Sequence, residues 1–279
     1  MDYKSIITFL GSRAELDATL PWAMRFAGQN QAHLSVQTMG IDMTPAGGFY
    51  MGASPILLQE TLETAQQDAQ TLETTARQML EREDLLWSAD STVVQFGGLP
   101  AQVGLHARFS DLVIQTSPYG DNVLPSQEAV IEAALFEGQA SVLVLPKTGI
   151  DEDFGKHVAV AWNQSNEALS AIRRAMPMLQ AAELVSVIVV DPPVHSPERS
   201  DPGGLLTQML ARHGVKAEVS VLAKTLPRVS DVLMRHMEDI DASVLVMGAY
   251  GHSRLREAIL GGATRNVLEN ASHALFMAH

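Results

Sequence analysis

Near the end of the 279-residue chain stands the stretch Val246-Met247-Gly248-Ala249-Tyr250-Gly251, followed after nine residues by Gly261-Gly262-Ala263-Thr264-Arg265. It closes a strand-like apolar run at residues 242–247 and precedes a helical pattern that begins near residue 263. Glycine lets the backbone approach a bulky ligand closely, and a helix start offers unpaired N–H groups to an anion. The spacing therefore predicts a phosphate-binding turn between a strand and a helix.

The chain repeats itself once along its length. Four strand-like runs in the first half have counterparts in the second: residues 5–10 with 158–162, 32–36 with 182–187, 111–115 with 242–246, and 141–145 with 274–277. Continuous apolar strands that alternate with helices are typical of parallel sheets covered on both faces. The predicted fold is α/β, with two tandem open parallel five-stranded sheets that carry helices on both faces. The predicted domains are residues 1–148 and 155–279.

The longest predicted helix begins at Ser54 and Pro55, which suit an N-cap and a first helical turn. Its apolar residues recur at helical spacing, and we interpret them as core contacts. They are Leu58, Leu62, Ala65, Ala69, Leu72, Ala76 and Leu80.

Composition narrows the classes of function. The hydrophobic fraction of 46% and the length suit two domains, and the absence of cysteine excludes thiol catalysis and zinc–thiolate sites. No signal peptide or membrane-spanning run is visible, so we expect a cytoplasmic protein with no membrane partner. The net charge of −13 argues against nucleic acid as the main partner. Because residues 1–150 carry −10 and residues 151–279 only −3, the second half suits an anion better.

The glycine spacing resembles the nucleotide loop of the universal stress protein family, whose fold is Rossmann-like and similar to the adenine nucleotide alpha hydrolases. The resemblance covers both halves in layout, but the nucleotide signature appears only in the second. It implies adenine against the end of the second strand, ribose near the first glycine, and phosphates over the glycine turn. The implied ligand residues are Asn163, Val189 or Val190, Met247, Gly248, Gly251, Gly261, Gly262, Ala263 and Thr264.

Two positions depart from the family pattern. Gly262 stands where ATP-binding members usually have serine or threonine, although Thr264 matches a second hydroxyl position. Asn163 stands where the family usually has aspartate, and its amide still donates and accepts hydrogen bonds. The choice among ATP, ADP and AMP therefore stays open, and Mg²⁺ accompanies a bound triphosphate if one is the ligand.

The first copy lacks the glycines. Ser117 takes the place of Gly248, and Ala129 and Val130 fall at the places of Gly261 and Gly262. A Cβ atom at these positions blocks close backbone approach. We expect no phosphate site in the first half.

The resemblance implies a regulatory stress protein that binds adenine nucleotide, and we expect that it is not an enzyme. There is no Gly-x4-Gly-Lys-Ser/Thr loop and no Gly-x-Ser-x-Gly elbow, and we identify no water-positioning group for ATP hydrolysis. The alternative is an interaction module for an unknown protein partner, in which the glycine loop no longer binds a nucleotide. Glycines at strand–helix junctions are also found where only close packing requires them.

The final strands of the two copies, residues 142–145 and 274–277, are short and apolar. Unpaired strand edges tend to be covered, and single-domain members of the family pair through their final strands as homodimers. We therefore expect an intramolecular domain pair through these two strands, and a homodimer of the whole chain stays possible.

Overall fold

The structure is a computed structural model that describes residues 2–43, 54–119, 124–146, 149, 153–192, 200–249 and 263–279. Its contacts divide the chain into two compact units. We call Asp2–Ala140 the N-terminal unit and Ser141–His279 the C-terminal unit.

The N-terminal unit has four strands and four helices among its described residues. In chain order they are β1 (Ser5–Leu10), α1 (Arg13–Asn30), β2 (His33–Asp42), α2 (Pro55–Leu80), β3 (Leu86–Gln95), α3 (Leu99–Ala107), β4 (Leu112–Thr116) and α4 (Pro125–Phe136). The strands pair in parallel in the order β3-β2-β1-β4. Helix α1 packs on β1 and β4, α2 packs on β2 and β3, and α3 packs against α4.

The C-terminal unit has six strands and five helices among the residues that the structure describes. They are β5 (Ser141–Leu145), β6 (His157–Ala161), α5 (Asn166–Arg174), α6 (Met176–Ala181), β7 (Leu184–Val190), α7 (Gly204–Arg212), β8 (Ala217–Leu222), α8 (Val229–Asp239), β9 (Val244–Gly248), α9 (Ala263–Asn270) and β10 (Ala274–Ala278). The strand order is β5-β10-β9-β6-β7-β8. All neighbours pair in parallel except β5 and β10, which are antiparallel.

The predicted fold class is confirmed as α/β with mainly parallel strands flanked by helices. The central strands are buried on both faces, as their apolar runs indicated: β5 and β10 are buried along their whole length. The two final strands also pair as expected, with Phe276 opposite Leu143. This pairing places β5 in the C-terminal unit, so the contacts divide the chain after Ala140. The domain bounds 1–148 and 155–279 and the wider domain pair stay predictions.

Helix α2 begins where the sequence indicated, at Pro55 after Ser54, although no side-chain hydrogen bond from Ser54 caps it. Its apolar stripe is core from Ala65 onward, whereas Leu62 is 45% exposed. The helix reaches the sheet at Gly40 of β2, where a Cβ atom would lie 1.8 Å from the Ala65 carbonyl oxygen. The missing side chain at Gly40 therefore sets how closely α2 approaches the sheet.

We expect Gly40→Ala to lower the free energy of unfolding by about 1–3 kcal/mol, the usual cost of overpacking a core. Gly28→Ala is the matched control, because its added Cβ meets no atom within 4 Å on the surface of α1. That change should raise the free energy of unfolding by about 0.5–1 kcal/mol through helix propensity. Urea denaturation of both variants measures the difference, and equal effects would contradict the assigned contact.

Candidate functional site

Three neighbouring strands of the C-terminal unit end at the edge where the sequence predicted a ligand. The strand β6 lies between β9 and β7, and all three are parallel, so their carboxyl ends meet at one edge of the sheet. In open parallel sheets, ligands bind beyond the carboxyl ends of the strands. Among these strands, β7 continues two residues past the last register pair, Ala161 with Ile188.

The extra length of β7 distinguishes Val190 from Val189. The Ile188 carbonyl accepts from the Trp162 N–H at 2.9 Å on the β6 side, and the Asp191 N–H donates to the Leu222 carbonyl at 2.8 Å on the β8 side. Backbone groups alternate in direction along a strand. The N–H and C=O of Val190 therefore point to the side where β6 has ended, whereas those of Val189 point to β8. Val190 is thus the residue placed to offer backbone contacts at this edge.

Asn163 follows β6 at the same edge, and its side chain is exposed. Its Oδ1 accepts a hydrogen bond from the Ser165 N–H at 3.1 Å, and the Ser165 hydroxyl in turn accepts from the Ala168 N–H at 3.1 Å. These bonds cap helix α5 and hold the amide of Asn163 in place. The carbonyl oxygen of the amide is thereby oriented toward α5.

Gly248 ends β9, directly against the first turn of α5. A Cβ atom at this position would lie 2.4 Å from the Ala168 nitrogen and 2.6 Å from the Glu167 carbonyl carbon. Packing of α5 on β9 therefore requires glycine here, whether or not a ligand binds. The preceding Met247 is buried, with 7% of its surface exposed.

Helix α9 starts at this edge as well. It connects β9 to β10, which are parallel, so the helix must run back from the carboxyl ends and begin there. Its second residue, Thr264, is buried, with 3% of its surface exposed. Gly251, Gly261 and Gly262 lie outside the described residues, and Ala263 is described only as the first residue of the helix.

Sequence reasoning missed one cation at this edge. Arg228 immediately precedes α8, in the loop that follows the carboxyl end of β8, and its Nη1 donates to Asn266 Oδ1 at 3.3 Å. Asn266 lies in the first turn of α9, so the guanidinium group stands beside the helix start. The two residues are 38 positions apart. Only the contact between α8 and α9 brings them together.

The corresponding edge of the N-terminal unit holds an internal carboxylate. Ser12 caps α1 by accepting from the Glu15 N–H at 3.2 Å, and Glu15 Oε2 accepts from the Gly11 N–H at 2.7 Å. This is a capping box, in which the third helical residue reaches back to the N-terminal N–H groups. In the C-terminal unit, Ala168 stands at the equivalent position of the box, and the acidic residue in the first turn of α5 is Glu167, one position earlier.

Burial raises the pKa of Glu15, and this desolvation outweighs the hydrogen bonds from Gly11, Gln127 and Ser12 that lower it. The start of α4 adds two further features that oppose phosphate. Pro125 has no N–H to donate, and Glu128 places a carboxylate in the first turn. Val130, at the place that Gly262 holds in the second copy, is buried inside α4 with 3% of its surface exposed.

Comparisons with known proteins point to one family for the C-terminal half. A sequence model of the universal stress protein family matches residues 155–279. The curated universal stress protein Slr1230 of Synechocystis sp. is 35% identical over 69 residues, which are 25% of this chain and 23% of that protein. The aligned segment thus spans less than a quarter of that relative. The C-terminal half contains one universal stress protein domain.

Solved structures show the fold of the whole chain. A universal stress protein from Archaeoglobus fulgidus superposes with a TM-score of 0.70 at 14% identity, covering 98% of this chain and 95% of that one. A putative universal stress protein from Pseudomonas aeruginosa gives 0.61 at 16% identity, covering 99% and 93%. At these identities, the likeness concerns the fold alone.

Among the described residues, none of the helices is long and apolar enough to cross a membrane. No group of three or more histidine, aspartate or glutamate side chains in the same part of the chain could hold a metal ion.

The raised pKa of Glu15 makes stability depend on pH in a defined direction. The folded state holds the proton more tightly than the unfolded state, whose glutamates titrate near a pKa of about 4.3. The contribution of Glu15 is therefore greatest below that pH and falls as the pH rises through its folded pKa. We expect the stability of Glu15→Gln relative to the parent protein to increase from pH 4 to pH 7, measured by urea denaturation.

Glu73 gives a control of opposite sign. Its pKa is lowered, first by the hydrogen bond from the Ser91 hydroxyl and then by Arg77. Glu73→Gln should therefore lose stability relative to the parent protein over the same rise in pH. A Glu15→Gln curve parallel to that of the parent protein would contradict the assigned environment.

Proposed function

We propose that this chain is a universal stress protein with two such domains in tandem, and that it binds one adenine nucleotide, ATP or AMP, in its C-terminal unit. Its role is regulatory, in the response to stress in the cytoplasm, and it is not an enzyme. The domain found at residues 155–279 supports the ligand class, because it contains every predicted ligand residue.

The observation that carries the proposal is the convergence of different donor groups at one sheet edge. Val190 directs a backbone N–H and C=O past the end of β6, and a purine base recognises such a pair through its own donor and acceptor. Asn163 adds an exposed amide after β6, and α9 adds the positive end of its dipole. This arrangement suits an elongated ligand with a base at one end and phosphates at the other.

A cation beside the start of α9 supports the choice of the C-terminal unit. Arg228 lies beside the start of α9, which is where the phosphates lie if the nucleotide binds as predicted. In the N-terminal unit, Glu15 and Glu128 occupy the equivalent neighbourhood with carboxylates. Like charges at this range oppose binding of an anion.

Slow or absent turnover follows from the kind of groups involved. Backbone N–H groups and the uncharged amide of Asn163 bind a ground state as readily as a transition state, so they give affinity without acceleration. If the ligand is a triphosphate, Mg²⁺ accompanies it on its phosphate oxygens. The chain's own residues then bind and orient the nucleotide.

A second candidate is an interaction module without a nucleotide, which acts on an unknown protein partner. The packing at Gly248 favours it, because α5 requires a glycine there even in the absence of a ligand. Gly262 in place of a hydroxyl residue points the same way.

We expect calorimetric titration of the full chain with ATP and with AMP to give one nucleotide per chain. Gly261→Val should abolish binding, because it places a branched side chain at the expected phosphate turn. Gly97→Val is the matched control in the N-terminal unit, where an added Cβ meets nothing within 4 Å. It should leave binding unchanged.

Three results would contradict the proposal. Absence of binding by all adenine nucleotides favours the interaction module, and two nucleotides per chain places a second site in the N-terminal unit. Phosphate release over many turnovers by the parent protein, lost in Gly261→Val, would show that the protein is an enzyme after all.

Arg228→Gln should weaken ATP about fivefold, which corresponds to roughly 1 kcal/mol for one partly exposed charge pair. Binding of adenosine should not change, because it has no phosphate. Arg235→Gln is the matched control, since Arg235 is exposed on α8. Titration of the three proteins with both ligands separates a phosphate contact from a structural effect, which would weaken adenosine equally.

A further inference from the structure

The N-terminal unit has a cavity of about 760 Å³ at the carboxyl edge of its sheet. The ends of β1 and β2, the middle of α2 and the start of α4 form its walls. This volume lies within the range of small-molecule sites in proteins, roughly 300–1,000 Å³. The position, beyond the ends of parallel strands, is also where such sites occur.

Gly40 and Ala65 both line the cavity, and they lie so close together that a Cβ atom at Gly40 would overlap the Ala65 carbonyl. Helix α2 therefore packs tightly on β2 beside the cavity. The walls that a ligand's hydrocarbon part can contact are apolar, and they include Met39, Ile41, Leu124 and Pro125.

The charges around the cavity have one sign. Asp42, Glu60 and Asp68 line it, and none of the described lining residues is a lysine, arginine or histidine. Behind Gly11 lies the buried carboxyl group of Glu15. An anion would therefore meet repulsion on several sides, whereas a cation would be attracted.

Two of these carboxylates stand on the same face of α2. Glu60, Thr64 and Asp68 follow one another at intervals of four residues, which places them on one stripe of the helix. All three side chains are exposed, so a charged group reaches them without losing its water. These residues and the apolar residues named above line the same cavity.

We propose that this cavity binds an organic cation, an amine carried on an apolar body. The hydrocarbon part packs against the apolar walls, and the ammonium group lies near Glu60 and Asp68. The cavity thus takes a ligand of opposite charge to the nucleotide proposed for the C-terminal unit. It gives the N-terminal unit a ligand of its own.

Three probes with one hydrocarbon body and different charges test the proposal on the full chain at low ionic strength. They are 4-phenylbutylamine, 4-phenylbutanol and 4-phenylbutyrate, each titrated by calorimetry. We expect the amine to bind about fivefold more tightly than the alcohol, as an ion pair of roughly 1 kcal/mol implies. The carboxylate should bind more weakly than the alcohol.

Variants locate the site. Asp68→Asn should weaken the amine about threefold and leave the alcohol unchanged, since one partly solvated charge pair is lost. Thr64→Trp should weaken both probes, because its side chain fills the cavity. Glu63→Gln is the matched control, on an exposed position of α2 that does not line the cavity. It should leave both affinities as they are.

Three results would overturn the proposal. Equal affinity of amine and alcohol, or no binding of either, removes the assigned preference for a cation. If Asp68→Asn and Glu63→Gln weaken amine binding equally, the preference for the amine comes from the overall charge of the chain. If Thr64→Trp binds the amine as tightly as the parent protein does, the amine binds outside this cavity. None of these results bears on nucleotide binding by the C-terminal unit.

Discussion

The parallel pairing of β6 with both β7 and β9 is the constraint on which the candidate site depends. Because these strands run in one direction side by side, residues far apart in sequence meet where the strands end. Asn163, Val190 and Gly248 come together in this way. The connection of β9 to the parallel strand β10 then forces α9 to begin at the same edge. An antiparallel arrangement of the same strands would scatter these groups over both ends of the sheet.

The two units use one position after the first strand in different ways. In the N-terminal unit, the capping box of α1 draws Glu15 under the end of β1, so a carboxylate accepts the N–H of Gly11. In the C-terminal unit, Ser165 caps α5 by accepting from the Ala168 N–H, and Asn163 Oδ1 accepts from the Ser165 N–H. The two units thus differ in where the glutamate of the first helical turn stands: Glu15 occupies the third helical position of α1, and Glu167 the second position of α5.

A glycine near the end of a strand can be required by a helix that packs on it or by a ligand that approaches it, and sequence spacing alone does not distinguish these two reasons. At Gly40 and Gly248, the structure shows a helix whose backbone occupies the space of the missing side chain. Both glycines are explained by packing before any ligand is considered. The direction of the Val190 backbone and the polar groups nearby therefore mark the proposed ligand edge more specifically than Gly248 does.

The sequence by itself predicted the α/β class and the strands that it marked, and together with the family resemblance it predicted the pairing of β5 with β10. Apolar runs and helix signals are local, and the rules of parallel sheets convert them into a fold. It left open whether Val189 or Val190 faces the ligand edge, since that depends on where β6 ends relative to β7.

Only the tertiary structure placed Arg228 beside Asn266, buried Glu15 at the edge of its sheet, and opened the cavity beside α2. Each of these features depends on contacts between residues that are distant in sequence or on how closely two elements approach. The spacing of apolar residues along the chain does not predict such distances.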